Sequence, residues 1–128
     1  MSQWHALHYP LKPGSEEAVA EIFRTSGRPD FTVTDGDGNV VGRLLSTMAF
    51  VGSGIAVRMI EVEGDLPLVA AHMSRQASVR AFEDQLDGHL REERDMRSPD
   101  GARAFFRRAG LRNVLHRRHD EALDLVTS

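Results

Sequence analysis

Two β-prone runs, Val40 to Val51 and Ile55 to Glu63, are separated only by Gly52-Ser53-Gly54. So short a link, built of residues that tolerate tight turns, predicts antiparallel pairing of the two runs. A two-stranded ribbon is not stable in water by itself, so the rest of the chain must supply strands and helices to cover it. The hairpin therefore sets what the flanking sequence has to be.

Upstream, Trp4, His5, Leu7, Tyr9 and Leu11 make Gln3 to Leu11 a first strand, closed by Pro10, Pro13 and Gly14. Ser15 stands where a helix cap belongs, Glu16 and Glu17 fall in the first turn, and Val19, Ile22 and Phe23 follow at helical spacing. That helix ends near Ser26-Gly27, before Pro29. Phe31 to Thr34 is a short β-prone piece ahead of the turn Asp35-Gly36-Asp37-Gly38-Asn39. The turn lacks the twelfth-position glutamate and the flanking helices of a calcium loop.

Downstream of Gly64 the period changes from two to three or four: Leu66, Val69, Ala70 and Met73, then Val79, Phe82, Leu86 and Leu90, fall on apolar stripes. One long helix or a broken pair is expected over residues 66–94. A polar stretch from Arg94 to Gly101 leads to a short helix at Ala102 to Arg108 ended by Gly110, and Leu111 to His116 is expected to be a final strand.

The order is β-α-β-β-α-β, the split arrangement of a ferredoxin-like α+β sandwich. At 128 residues there is material for one core and too little for two, so a single domain over residues 1–128 is expected. Apolar side chains alternate to both faces of the strands. Val57 and Met59 lie opposite Ile60 and Val62, and one layer of helices covers only one face. A homodimer with its sheets face to face is the expected consequence.

A net charge of −3 and a pI near 6.0 give no field for a polyanionic partner, which argues against nucleic acid. The late arginines, from Arg103 to Arg118, are interleaved with Phe105, Phe106, Leu111, Val114 and Leu115 and read first as outer faces of ordinary elements. With no cysteine there is no disulfide, thiolate nucleophile or thiolate metal site. Neither a leader pattern at Met1 to His8 nor a membrane-length apolar run is present, so a cytoplasmic protein with no membrane partner is expected.

Walker loops, dinucleotide fingerprints, nucleophile elbows and His-Glu-x-x-His helices are all missing. The candidates are polar residues set inside apolar elements. His8 and Trp4 share one face of the first strand, where a proton carrier and a stacking surface would sit together; a histidine satisfied at a sheet or dimer contact is the plainer alternative. Arg43 and Arg58 interrupt the central strands. Arg58, flanked by Ala56, Val57, Met59 and Ile60, either holds an enolate or phenolate or pairs with Glu61 or Glu63. His72 and His89 lie near the buried stripes, each a possible acid or base and each explicable as structural. Six histidines show no ligand spacing with a third partner, and no metal or other cofactor is expected.

Trp4-His5-Ala6-Leu7-His8-Tyr9-Pro10 with Pro13-Gly14-Ser15-Glu16-Glu17, then Val57-Arg58-Met59-Ile60-Glu61-Val62-Glu63-Gly64, then Phe105-Phe106-Arg107-Arg108-Ala109, resemble in content and order the SchA/CurD-like proteins. The segment Arg43 to Phe50 departs from that pattern, since Leu45 rather than arginine precedes Ser46-Thr47. The resemblance implies a place in actinomycete aromatic polyketide or spore pigment biosynthesis. It also implies a plan like that of small dimeric ferredoxin-like cyclases and cofactor-independent monooxygenases. The expected activity is oxidation of a polycyclic phenol or anthrone to a quinone by dioxygen. A cyclase closing a poly-β-ketone by aldol chemistry and a non-catalytic partner of the synthase are the alternatives. In the oxygenase reading His72 or His8 takes the proton and Arg58 favours the anion, while Trp4, Phe50 and Met59, with Arg43 and His89, surround the substrate.

Overall fold

The computed structural model describes residues 2–27 and 29–120. In chain order these form β1 (Ser2–Pro10), α1 (Glu16–Thr25), β2 (Thr32–Thr34), β3 (Val40–Gly52), β4 (Ile55–Gly64), α2 (Leu66–Ser74), α3 (Ala77–Asp87), α4 (Pro99–Ala109) and β5 (Gly110–Leu111). The strands lie in one sheet in the order β2-β3-β4-β1-β5, antiparallel throughout. This is the ferredoxin-like order, with β2 added beside β3, and the helices lie against one face. None of the helices is long and apolar enough to cross a membrane among the described residues.

The β3–β4 hairpin forms as expected, but with one irregularity that decides which side chains go where. The register slips between Leu44 and Ser46, leaving Leu45 unpaired as a bulge. Before the slip Gly42 and Leu44 share the helix face with Gly64 and Val62; after it the helix face is carried by Thr47, Ala49 and Val51, opposite Ile60, Arg58 and Ala56. Met48 and Phe50 are thereby turned to the open face, beside Met59 and Val57.

Two apolar clusters fill the space between sheet and helices. The larger joins Leu7, Tyr9 and Leu11 to Val19 of α1, Phe82 and Leu86 of α3, Leu90, and Phe105 and Ala109 of α4. The smaller packs Val33, Leu44 and Val62 beneath Val69 and Met73 of α2. Gly42 lets α2 approach, because a Cβ there would lie 2.9 Å from Val69 Cγ2. Gly64, at φ +93°, turns the chain out of β4 into α2, a conformation that favours glycine.

Three expectations are revised. The helical stretch after Gly64 is the broken pair of the two alternatives, with Gln76 extended and the Arg80 side chain donating to the Ser74 carbonyl oxygen at the break, but it ends at Asp87, well short of residue 94. The late helix begins at Pro99 rather than Ala102, capped by Ser98, whose hydroxyl accepts from the Gly101 amide at 3.0 Å. The final strand is only Gly110–Leu111, paired to Leu7 and Ala6. Beyond it the Asn113 side chain accepts from the Leu115 amide, a local turn that competes with a ladder. Val114 is left 79% exposed.

Candidate functional site

Along β4 the even residues face the helices: Ala56 belongs to the larger core and Val62 to the smaller. Arg58 lies on the same face between them. A cation there cannot be buried alone. The residues that receive it surround a cleft of about 160 Å³ at the seam of the two cores, lined by Phe23 of α1, Ser26, Gly27 and Pro29, by Leu44, Thr47 and Ala49 of β3, by Arg58, and by Ser78, Val79 and Phe82 of α3. Its walls are mostly apolar, with hydroxyls from Thr47, Ser26 and Ser78 and, among the described residues, one cation, Arg58.

Arg58 does not pair with Glu61 or Glu63, because period-two alternation puts both on the open face. There Glu61 accepts from the hydroxyls of Ser2 and Ser46, and Glu63 pairs with Arg43. Arg58 instead has Glu83 of α3, with Nη1 3.8 Å from Oε1, and its guanidinium lies 5.8 Å from the Phe82 ring centre. That separation is at the outer edge of an ion pair, so the guanidinium keeps donor capacity toward the cleft. Glu83 is held more closely by Arg94, whose Nη2 donates to Oε2 at 2.6 Å, while Arg94 Nε donates to Asp87 at 2.7 Å. Burial opposes the Arg94 charge, but Glu83 and Asp87 outweigh it and hold its pKa above the ordinary value. Tyr9, buried beneath this network, is pushed up by burial, with Arg58 acting in the opposite sense. Its phenol stays neutral.

The residues expected to share a site are divided by the sheet. Arg58 lines the cleft, and Trp4, His8, Arg43, Phe50 and Met59 lie on the open face. Phe50, Val57 and His8 form one cross-strand row there, with Met48, Met59 and Ala6 in the next. His8 Nδ1 donates to the Ala109 carbonyl oxygen at 2.8 Å, tying β1 to the end of α4. Arg43 is exposed and paired with Glu63. His72 does not line the cleft, but its Nε2 lies 3.2 Å from the Asp30 carbonyl oxygen, next to the rim residue Pro29. His89 lies elsewhere, with Nδ1 3.0 Å from the Ser15 hydroxyl. This also means that the Ser15 hydroxyl does not cap α1 as the sequence suggests.

Sequence reasoning missed Glu83, Arg94 and Tyr9. A usable signal was present: Glu83 and Asp87 are four apart on α3 and flank Phe82 and Leu86, so two carboxylates border a buried stripe and call for a cation.

Residues 2–119 match the SchA/CurD like domain, which takes in every element described above. The chain belongs to the SchA/CurD-like family. Polyketide synthase CurD of Streptomyces cyaneus is 42% identical over 112 residues, covering 88% of this chain and 29% of that protein. The 42.8 kDa protein in the whiE locus of Streptomyces coelicolor is 39% identical, covering 88% of this chain and 27% of its own length. Protein SchA of Streptomyces halstedii is 39% identical over the same share of this chain, and 28% of its own length is matched. The chain thus spans less than a third of these curated relatives. No solved structure matches it significantly.

Proposed function

We propose that this chain serves aromatic polyketide biosynthesis by binding one phenolic end of a polycyclic polyketide in the seam cleft and promoting its oxidation by dioxygen to a quinone. The observation that carries the reading is Arg58: a cation among apolar walls, bordered by Phe23 and Phe82 and incompletely engaged by its carboxylate partner. Similarity to a Streptomyces protein called a polyketide synthase supports the substrate class. The cleft is smaller than the roughly 300–1,000 Å³ that encloses a drug-sized ligand whole. It would take one end of a fused ring system and leave the rest outside.

A phenol placed against Arg58 ionises more readily because its anion gains a charge-assisted partner in a site of low polarity. The resulting phenolate is the electron donor. For an anthrone, one dioxygen supplies the quinone oxygen and leaves as water with its other atom. The methylene carbon loses both hydrogens, and the substrate provides all four electrons. The protein need only bind, favour the anion and shield it. The released proton passes out through the open mouth, and His72 is assigned to hold the Pro29–Asp30 rim in place.

Oxygen uptake and product mass with 1,8-dihydroxyanthrone test the proposal. Quinone formation above the uncatalysed rate is expected, and Arg58→Met should lower phenolate affinity about tenfold to a hundredfold, the worth of a hydrogen bond to a charged group. Binding without oxygen uptake would turn the reading to ring closure. Equal binding by wild type and Arg58→Met would remove Arg58 from the site.

A further inference from the structure

Glu83 stands between two arginines and is shared unequally. Arg94 donates to its carboxylate at 2.6 Å and to its backbone carbonyl oxygen at 3.3 Å, whereas Arg58 remains 3.8 Å away. Arg94 is built into the protein rather than laid on it. Its side chain is 1% exposed, its guanidinium lies 4.5 Å from the Phe105 ring centre, and Nη1 has no hydrogen-bond partner among the described residues. An arginine so placed gives up hydration and one donor in order to occupy Glu83 and Asp87.

We infer that Arg94, though it does not line the cleft, is a positioning residue for Arg58: by occupying Glu83 it keeps that carboxylate from closing on Arg58. Arg58 is thereby left to an anionic ring oxygen. A half-buried carboxylate stripped of its nearer cation draws in the remaining one, because an unpaired buried charge is strongly unfavourable. Loss of Arg94 would therefore pull Arg58 out of the cleft. The inference rests on the cleft being an anion site and deepens that reading.

The probe is 2-naphthol, whose absorption spectrum separates phenol from phenolate, with 2-methoxynaphthalene as a ligand that cannot ionise and circular dichroism to confirm folding. Arg94→Met is expected to weaken naphtholate binding about tenfold and to raise the apparent pKa of the bound phenol, with 2-methoxynaphthalene binding unchanged. Adding Glu83→Gln should restore both readouts, since no carboxylate then competes for Arg58. A merely structural role for Arg94 would not be rescued in this way. Wild-type behaviour of Arg94→Met, or no recovery in the double variant, would overturn the inference. Should Arg94→Met fail to fold, Glu83→Gln alone and the double variant decide: both must bind naphtholate at least as tightly as wild type, and weaker binding by either refutes it. Arg58→Met without effect would instead sink the cleft reading itself, a result distinguishable from these.

Discussion

Gly42→Ala and Val69→Ala should be strongly coupled, and the structure sets the size of the coupling. A Cβ at residue 42 would lie 2.9 Å from Val69 Cγ2 and 3.1 Å from the Glu63 carbonyl oxygen. Val69 is fully buried and cannot retreat. Overpacking of this kind costs about 1–3 kcal/mol, offset by about 0.5–1 kcal/mol from removing a glycine from a strand, so Gly42→Ala should lose about 1–2 kcal/mol. Val69→Ala removes two carbons at about 0.8 kcal/mol each and leaves a void, for a loss of roughly 2–3 kcal/mol. One of those carbons is Cγ2 itself. In the Val69→Ala background the Cγ2 contact is gone and only the 3.1 Å approach to the Glu63 carbonyl oxygen remains, so Gly42→Ala should become about neutral. The coupling is about 1.5 kcal/mol, or roughly 6 °C in Tm for a chain of this size. Urea unfolding of the four proteins, with equal m-values as the check on two-state behaviour, measures it. Losses that add to within about 0.5 kcal/mol would refute the claim that α2 closes on β3 through this contact.

Three further outcomes are expected. Ser98→Ala removes the cap of α4 and should lose about 1 kcal/mol in the same urea assay, whereas Ser98→Asp should retain most of it. Burial raises the pKa of Tyr9, so its contribution to stability is complete below the unfolded phenol value and is lost as pH climbs through the raised one. Unfolding followed from pH 9 upward should then show a fall above about pH 10 that Tyr9→Phe reduces; identical profiles would contradict it. The rows Phe50-Val57-His8 and Met48-Met59-Ala6 lead us to expect a face-to-face homodimer. Sedimentation equilibrium at micromolar concentration should give a dimer that Phe50→Asp converts to monomer, and a monomeric wild type would end that expectation.

The strand and turn plan was legible because its signals are local: period-two alternation in β1 and β4, and Gly52-Ser53-Gly54 between β3 and β4. The place of the break between α2 and α3 was not. It is fixed by Arg80 reaching back to Ser74 and by Gln76 bonding to Asp30, 46 residues away, and no local propensity contains that second contact. Arg58 stood out as a cation among apolar neighbours, but its partner is 25 positions later on another element, and the sequence suggested nearer acids. Arg94 fell in a stretch that reads as polar linker. Only after the chain turns back over α3 does it meet Glu83 and Asp87. The expected apolar walls lie apart from Arg58 for a different reason: Phe50 and Met59 are near it in the hairpin, yet the register sends them to the other side of the sheet.

The bulge at Leu45 gives that register a particular tolerance. Leu44 pairs with Val62 on the helix side and Ser46 with Glu61 on the open side, so the extra residue stands between two positions whose faces β4 already sets. Removing Leu45 while that pairing is kept would leave Thr47, Ala49 and Val51 toward the helices and Met48 and Phe50 away from them. A single-codon deletion there would straighten the strand without changing which side chains face the cleft. The bulge is a spare link in β3: the chain can lose one residue at that point and keep its two faces as they are.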